Sequence, residues 1–378
     1  MPNDPVAIPI ALTPTNDRMR GWKLREPEKT AAALMSGGVD SSLAAALLLE
    51  AGWDVVGVTL RIPSLSSDAE SPCCSDEAVF VAESLGIPHL FLETEEAFAA
   101  DVIEPFRRAY RQGRTPNPCV DCNTRLKFRR AWSVLEERLG IRHLATGHYA
   151  RVLEEAGRAF LARAQDLSRD QSYFVYGVPR ERLPFLHLPL GELAKDAVRR
   201  MARERGLHVA ERRDSMELCF AGEGNYRAVL GVEKEGEPGP ILDLEGRRIG
   251  THRGIGNYTI GQRRGLGMAA GEPRYVLRID LASNALVVGT RAEASQREVK
   301  AGRLNVLMPD ALVPGARLLG KIRSLSDAAP CRLLRFEEDE IAVRFDEPQF
   351  GPTPGQHLVL YDESGRVTAG GTILEEKP

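Results

Sequence analysis

Two sets of side chains in this sequence have the types and spacing for chemistry. The first is Ser36-Gly37-Gly38-Val39-Asp40-Ser41-Ser42, which follows an apolar run at 31–35 and precedes a strongly helix-forming stretch at 43–49. A turn from strand to helix is where anions bind. The two glycines let the backbone approach phosphate oxygens, the hydroxyls of Ser36, Ser41 and Ser42 can donate, and the first N–H groups of the helix face the charge. The second set is Cys119 and Cys122 in Thr115-Pro116-Asn117-Pro118-Cys119-Val120-Asp121-Cys122-Asn123, with a third thiol at Cys219. That loop is surrounded in sequence by Arg107, Arg108, Arg111, Arg114, Arg125, Lys127, Arg129 and Arg130, opposed within the span only by Asp121. Nearby cations lower a thiol's pKa, so the loop reads as reactive, and its local field suits a polyanion.

The phosphate loop is not of the Walker type, which would read Gly-x-x-x-x-Gly-Lys-Ser/Thr; neither the spacing nor the lysine is present. A near match from Gly315 to Lys321 ends in Ile322 among strand-like residues. Three chemistries fit the thiols. A structural zinc would need His148 or Cys331 to complete its four ligands, because no second Cys-x-x-Cys occurs. Sulfur transfer would put a persulfide on one thiol and let another resolve it. A cluster of the 4Fe–4S type could be held by Cys119, Cys122 and Cys219 with one iron left open. Spacing alone does not choose among them.

The elements that position these groups follow from composition and periodicity. A chain of 378 residues, 43% hydrophobic and 27% charged, is globular and long enough for two or three domains. No apolar run approaches the roughly 20 residues that cross a bilayer, and the N-terminus lacks the basic-then-apolar order of a secretory signal, so no membrane partner is implied. The expected compartment is the cytoplasm, where the six cysteines stay reduced and a cysteine cluster means metal or sulfur chemistry. A net charge of -3 argues against indiscriminate nucleic-acid binding by the whole chain.

Strand 31–35, helix 41–51, strand 54–60, helix 75–86, strand 88–92, helices 96–112 and 124–139 and strand 142–146 predict an α/β fold. It would be a parallel sheet with helices on both faces, the phosphate loop sitting at the carboxyl end of the first strand. Helix 192–206 adds a basic face through Lys195, Arg199, Arg200, Arg203 and Arg205. Beyond Gly222, frequent Gly and Pro give way to short alternating runs such as Ile341, Val343 and Phe345. The expected organisation is a flexible N-terminal extension over 1–29, a nucleotide-binding catalytic domain over 30–221, a small central domain over 222–298 and a C-terminal β-barrel over 299–378.

Seven segments occur in one order. They are the phosphate loop, Gly113-Arg114-Thr115-Pro116-Asn117-Pro118 with its cysteines, Ala145-Thr146-Gly147-His148-Tyr149-Ala150-Arg151, Asp170-Gln171-Ser172-Tyr173-Phe174, Cys219-Phe220, Tyr258-Thr259-Ile260-Gly261-Gln262-Arg263 and Gly265-Leu266-Gly267. Together they resemble the bacterial tRNA-specific 2-thiouridylase (MnmA) family of PP-loop ATP pyrophosphatases, from Ala31 to the C-terminal barrel.

The resemblance implies a two-step reaction. ATP, with Mg²⁺, adenylates the C2 oxygen of the wobble uridine of a tRNA; protein-bound sulfur then displaces AMP to give 2-thiouridine. It implies that Leu34, Met35, Ser36, Gly37, Gly38, Val39, Asp40, Ser41, Leu60 and Gly147 contact ATP, with Asp40 helping to hold Mg²⁺. Asn117, Pro118 and Cys119 would face the target base, Cys122 would be the nucleophile and Cys219 would bear the persulfide. His148, Arg169, Asp170, Gln171, Arg323, Ser324 and Gln356 would meet the tRNA, and Tyr149, Tyr173 and Phe174 could stack an extruded base. A sulfur-donor protein or persulfide relay is implied as partner. Many members carry aspartate where Cys119 stands, which adds weight to the cluster reading; Arg169 replaces a common lysine and Ser324 a tyrosine. Cys73-Cys74 also matches the family, and is expected to be a buried pair opening a helix. The alternative is another PP-loop adenylating ligase of the amidotransferase type, which would share the adenylation step but needs no third cysteine.

Overall fold

A computed structural model of the chain describes residues 8–63, 76–212, 218–220, 236–267 and 272–375. It divides into two compact units, one of residues 1–102 and 119–224, the other of 103–118 and 225–378. Among the described residues no helix is long and apolar enough to cross a membrane. Cys73 and Cys74 lie outside the described residues.

The first unit contains β1 (Ala11–Pro14), β2 (Thr30–Leu34), β3 (Asp54–Arg61), β4 (His89–Glu93), β5 (His143–Ala145), β6 (Ala150–Glu155), β7 (Arg158–Arg163) and β8 (Leu186–His187). β6 and β7 form a hairpin, and the other six make one sheet in the order β1-β4-β3-β2-β5-β8. All neighbours run parallel except β1, which is antiparallel to β4. β2 is buried along its whole length, as a central parallel strand must be. Its alternation sends Ala31, Ala33 and Met35 to one face, where they pack with Leu43, Ala44 and Leu48 of helix Val39–Glu50, Val81 of helix Asp76–Ser84 and Val198 of helix Lys195–Glu204.

The first unit corrects two expectations. Residues 8–29 are not a flexible extension: Leu12 pairs with Leu92 and Thr13 with Phe91, while Asn16 donates to the Ile87 carbonyl at 3.0 Å and accepts from the His89 N–H at 3.2 Å. The strand was hidden because it is only four residues long, largely exposed, and closed by Pro14, which an edge strand tolerates. The two long helices expected at 96–112 and 124–139 are interrupted by π-helical turns at Ala99–Ile103 and Cys122–Ala131. Such turns are common at functional sites, and the second begins at a cysteine.

In the second unit, β9 (Gly239–Leu242), β10 (Arg248–His252), β11 (Tyr275–Asp280) and β12 (Ala285–Gly289) form a four-stranded sheet over a core of Ile241, Val276, Leu286 and Val288. β13 (Ser295–Val306), β14 (Arg317–Lys321), β15 (Ala329–Glu337), β16 (Glu340–Phe350), β17 (His357–Tyr361) and β18 (Val367–Ile373) close into a barrel. Ile341, Val343 and Phe345 point into it, as their alternation predicted. The expected α/β domain, small central domain and closed barrel are therefore all present.

His89 ties the N-terminal segment to the sheet. Thr59 Oγ1 donates to the Met35 carbonyl at 2.7 Å, so it accepts from His89 Nε2 at 3.0 Å, leaving Nδ1 to accept from Thr15 Oγ1 at 2.8 Å. Burial pushes the imidazole down to about 4. Because the folded value lies below the unfolded 6.5, the unfolded chain takes the proton first, and the contribution is complete above pH 6.5 and lost as the pH falls toward 4. The urea midpoint should therefore be level above pH 7 and fall between pH 6.5 and 4. His89→Gln should remove about 3 kcal/mol of that fall, and an unchanged pH profile in this variant would count against the assignment.

Candidate active site

β2 ends at Leu34, and the loop that follows is held by its own hydroxyls. Ser41 Oγ accepts from the Ser36 N–H at 3.1 Å and donates to the Gly38 carbonyl at 3.1 Å, while Ser42 Oγ donates to the same carbonyl at 2.9 Å. Ser41 and Ser42 thus shape the loop instead of pointing donors outward; Ser36 is the exposed hydroxyl. Gly37 lies at φ 71, the left-handed region glycine enters without strain, and Gly38 caps helix Val39–Glu50. The first N–H groups of that helix have no preceding carbonyl to meet, which makes them an anion cradle. Buried Leu34, Met35, Val39 and Leu60 gather at the carboxyl ends of β2 and β3.

Strand order reverses between β2 and β5, so this edge is the switch point where parallel sheets bind ligands. Gly147 follows β5 there, and a Cβ on it would lie 2.7 Å from both the Asp40 carbonyl carbon and the Ser41 nitrogen. The two loops touch backbone to backbone. Just beyond, the Tyr149 hydroxyl donates to Asp40 Oδ1 at 2.8 Å, and Lys195 Nζ donates to both Asp40 oxygens at 2.8 Å. Lys195 was read from sequence only as part of a basic helix face. It is instead 6% exposed, and the Asp40 carboxylate accepts from protein donors on two other segments.

The thiols lie in the same unit. Cys119 and Cys122 belong to helix Pro118–Asp121 and the π-helical turn Cys122–Ala131, where Asn123 Nδ2 donates to the Phe174 carbonyl at 3.0 Å and Asn123 Oδ1 accepts from Lys127 Nζ at 2.9 Å. Phe220, buried against Phe98 with ring centroids 5.4 Å apart, anchors Cys219. The electrostatic influence of Cys219 reaches both Cys119 and Cys122. The expectation of low thiol pKa values is overturned. Burial pushes Cys122 up to about 12, with Lys127, not an arginine, pulling the other way. Cys119 is accessible at the surface, and desolvation by the surrounding protein pushes its thiol up to about 11. Four of the seven arginines pair with carboxylates: Arg130 with Asp101, Arg125 with Asp121, Arg107 with Glu104 and Arg114 with Glu375. Among the described residues no group of three His, Cys, Asp or Glu side chains that could hold a metal ion is found.

The remaining expected residues divide into supports and surfaces. His148 follows Gly147, shares a 2.8 Å hydrogen bond with Thr146 Oγ1, and is pushed down to about 3 by burial and then by Lys127. Asp170 is buried, accepting from the N–H groups of Ala164 at 3.0 Å and Ser172 at 3.1 Å, and Gln171 Oε1 accepts from the Tyr149 N–H at 2.9 Å. Both hold the hairpin and the Gly147–Tyr149 segment. Tyr149 and Tyr173 are buried, Phe174 partly so, and Arg169 is exposed. In the second unit, Gln356 Nε2 donates to the carbonyls of Thr115 at 3.0 Å and Pro116 at 3.3 Å, bracing the segment that carries Asn117 and Pro118. Arg323 donates to the Gly351 carbonyl at 2.7 Å, and with Ser324, Gln356, Thr115 and Arg291 it lines a cavity of about 550 Å³.

Three family models match consecutive parts of the chain: a tRNA methyl transferase HUP domain over 29–223, a tRNA methyl transferase PRC-barrel domain over 228–290 and an aminomethyltransferase beta-barrel domain over 296–373. A tRNA-specific 2-thiouridylase MnmA of Roseiflexus castenholzii is 44% identical over 361 residues, covering 89% of this chain and 96% of the relative. That of Methylorubrum populi is 43% identical, covering 92% and 94%, and that of Acetivibrio thermocellus is 41% identical, covering 90% and 98%.

Two measurements check this geometry. Iodoacetamide should alkylate Cys122 at pH 8 roughly a hundredfold more slowly in the folded chain than in urea, with the site mapped by mass spectrometry; equal rates would contradict a buried, protonated thiol. Gly147→Ala should cost about 2 kcal/mol of stability by driving its methyl into the Asp40–Ser41 backbone, and a neutral result would show that the loops do not meet.

Proposed function

The chain belongs to the tRNA-specific 2-thiouridylase family, and from that membership we propose that its phosphate loop activates a wobble uridine with ATP for sulfur delivered from Cys219. The observation that carries this reading is a chain of contacts within one unit. Gly147 lies on the phosphate loop, Tyr149 bonds both Asp40 and Gln171, the Phe174 N–H donates to the Gln171 carbonyl, and Asn123, one residue after Cys122, donates to the Phe174 carbonyl and accepts from Lys127.

In the first step the uridine C2 oxygen attacks the α-phosphorus of ATP, the bond to the β-phosphate breaks, and pyrophosphate leaves with its Mg²⁺. The Ser36 hydroxyl and the first-turn N–H groups of helix Val39–Glu50 receive the phosphates, and Mg²⁺ rides on the phosphate oxygens. An enol-like oxygen is a poor leaving group and AMP a good one, so activation precedes sulfur attack. In the second step the outer sulfur of a Cys219 persulfide forms a bond to C2 and AMP departs. Cys122, as thiolate, then attacks the inner sulfur of Cys219; the S–S bond breaks, sulfur stays on C2, and a Cys122–Cys219 disulfide remains for a dithiol reductant to reopen. Lys127 is the cation nearest in effect to Cys122, and we assign it to stabilising that thiolate. Asn117, Pro118 and Cys119 face the base, Gln356 braces the segment that carries Asn117 and Pro118, and exposed Arg169, and separately Arg323 and Ser324, meet the tRNA.

The family-model descriptions speak of methyl transfer, but three thiols in the same unit as a phosphate loop support sulfur transfer, in agreement with the names of the relatives. The same thiols separate this reading from an amidotransferase-type ligase. We place the reaction in the cytoplasm, where tRNA and reduced thiols occur, and expect a persulfide-bearing protein as sulfur donor.

Incubation with ATP, Mg²⁺, a small-molecule persulfide and unmodified tRNA, followed by nucleoside analysis, should yield 2-thiouridine. Cys122→Ser and Cys219→Ser should each lower the yield by roughly a hundredfold or more, and Lys127→Met by about tenfold. Cys119→Ser should stay near the parent level. Undiminished product from Cys219→Ser would refute the persulfide step.

A further inference from the structure

We propose that Lys195 is a positioning residue of the phosphate loop, neutralising Asp40 from within the protein so that the start of helix Val39–Glu50 can accept a triphosphate. The inference rests on the reading of this loop as an ATP site. Lys195 breaks two local rules at once. It is a lysine almost wholly buried, and it occupies the first position of helix Lys195–Glu204, where the helix dipole disfavours a cation. Nothing about its own helix accounts for either choice. Its ammonium instead reaches Asp40, 155 positions away, donating to both carboxylate oxygens at 2.8 Å and lying 5.8 Å from the centre of the Tyr149 ring. Tyr149 donates to the same carboxylate at 2.8 Å.

The charge count explains the arrangement. Asp40 sits in the first turn of the helix whose N–H groups form the cradle, and there an unbalanced carboxylate would repel the phosphates the cradle is meant to hold. A Walker loop carries its own lysine; this loop has none, and takes a cation from a distant helix. Because that cation grips Asp40 with the geometry of a closed ion pair, its effect on the nucleotide passes through Asp40 and not through a phosphate oxygen.

The test is calorimetric binding of α,β-methylene ATP with Mg²⁺ to the full chain. Lys195→Met should weaken binding by at least tenfold while affinity for adenosine, which carries no charge, changes by less than threefold. Removing the carboxylate as well, in the Asp40→Asn/Lys195→Met double variant, should restore the analogue to within threefold of the parent. If Lys195→Met does not fold, the double variant carries the test, for it must both fold and bind. The proposal is overturned if Lys195→Met binds the analogue like the parent, if adenosine weakens in parallel, or if the double variant fails to fold or remains weak; persistent weakness would make Lys195 a direct phosphate ligand. Failure of the parent chain to bind the analogue would instead reject the ATP reading itself.

Discussion

The backbone at Asp40 and Ser41 leaves no space for a side chain on its outer side, because Gly147 is already there. This contact follows from topology. Strand order turns back at β2 and β5, so the loops leaving these adjacent parallel strands must share one crevice, and only a residue without a Cβ lets them close upon each other. Once they are closed, the next residues are placed as well. Tyr149 comes within hydrogen-bond reach of Asp40, and Gln171, bonded to Tyr149 through both its backbone N–H and its side chain, fixes the segment from behind. The phosphate loop is therefore shaped by its own serines and aimed by its neighbours.

The thiols are governed by the opposite influence. The phosphate loop works by exposing backbone dipoles to charge, whereas Cys122 is withheld from charge by burial, with Lys127 as the opposing pull. His148 is kept neutral, its value depressed first by burial and then by the same lysine. A buried, protonated thiol is inert toward stray electrophiles, whereas Cys119 three residues earlier is accessible.

What could be read from the chain was what is local. The phosphate loop, the parallel sheet and the inward alternation of Ile341, Val343 and Phe345 depend on residues a few positions apart, and propensity and period report them directly. The ion pair of Lys195 with Asp40 and the grip of Gln356 on Thr115 join residues 155 and 241 positions apart, and no period carries that information. β1 escaped because four largely exposed residues ending in proline give no alternation to detect. The thiols misled for a different reason: eight cations close in sequence suggested a low pKa, but most of the arginines turn to carboxylates, and burial, which sequence does not display, decides the sign.

The same distinction separates residues that touch a substrate from residues that hold the ones that do. Asp170, Gln171 and Gln356 all belong to segments whose resemblance suggested tRNA contact, yet each has its hydrogen-bonding groups turned inward. Asp170 accepts from two backbone N–H groups and from Ser172 Oγ at 2.9 Å, an arrangement that caps a turn and leaves little for an external donor. Gln356 donates to two successive carbonyls, which fixes the path of the chain into Asn117 and Pro118. Substituting such a residue would change substrate binding as surely as removing a contact, because the loop it braces would no longer hold its shape. Loss of function alone therefore cannot identify a contact residue in this protein; inward hydrogen bonding and burial separate the two kinds, and by that measure Asp170 is part of the frame beneath exposed Arg169.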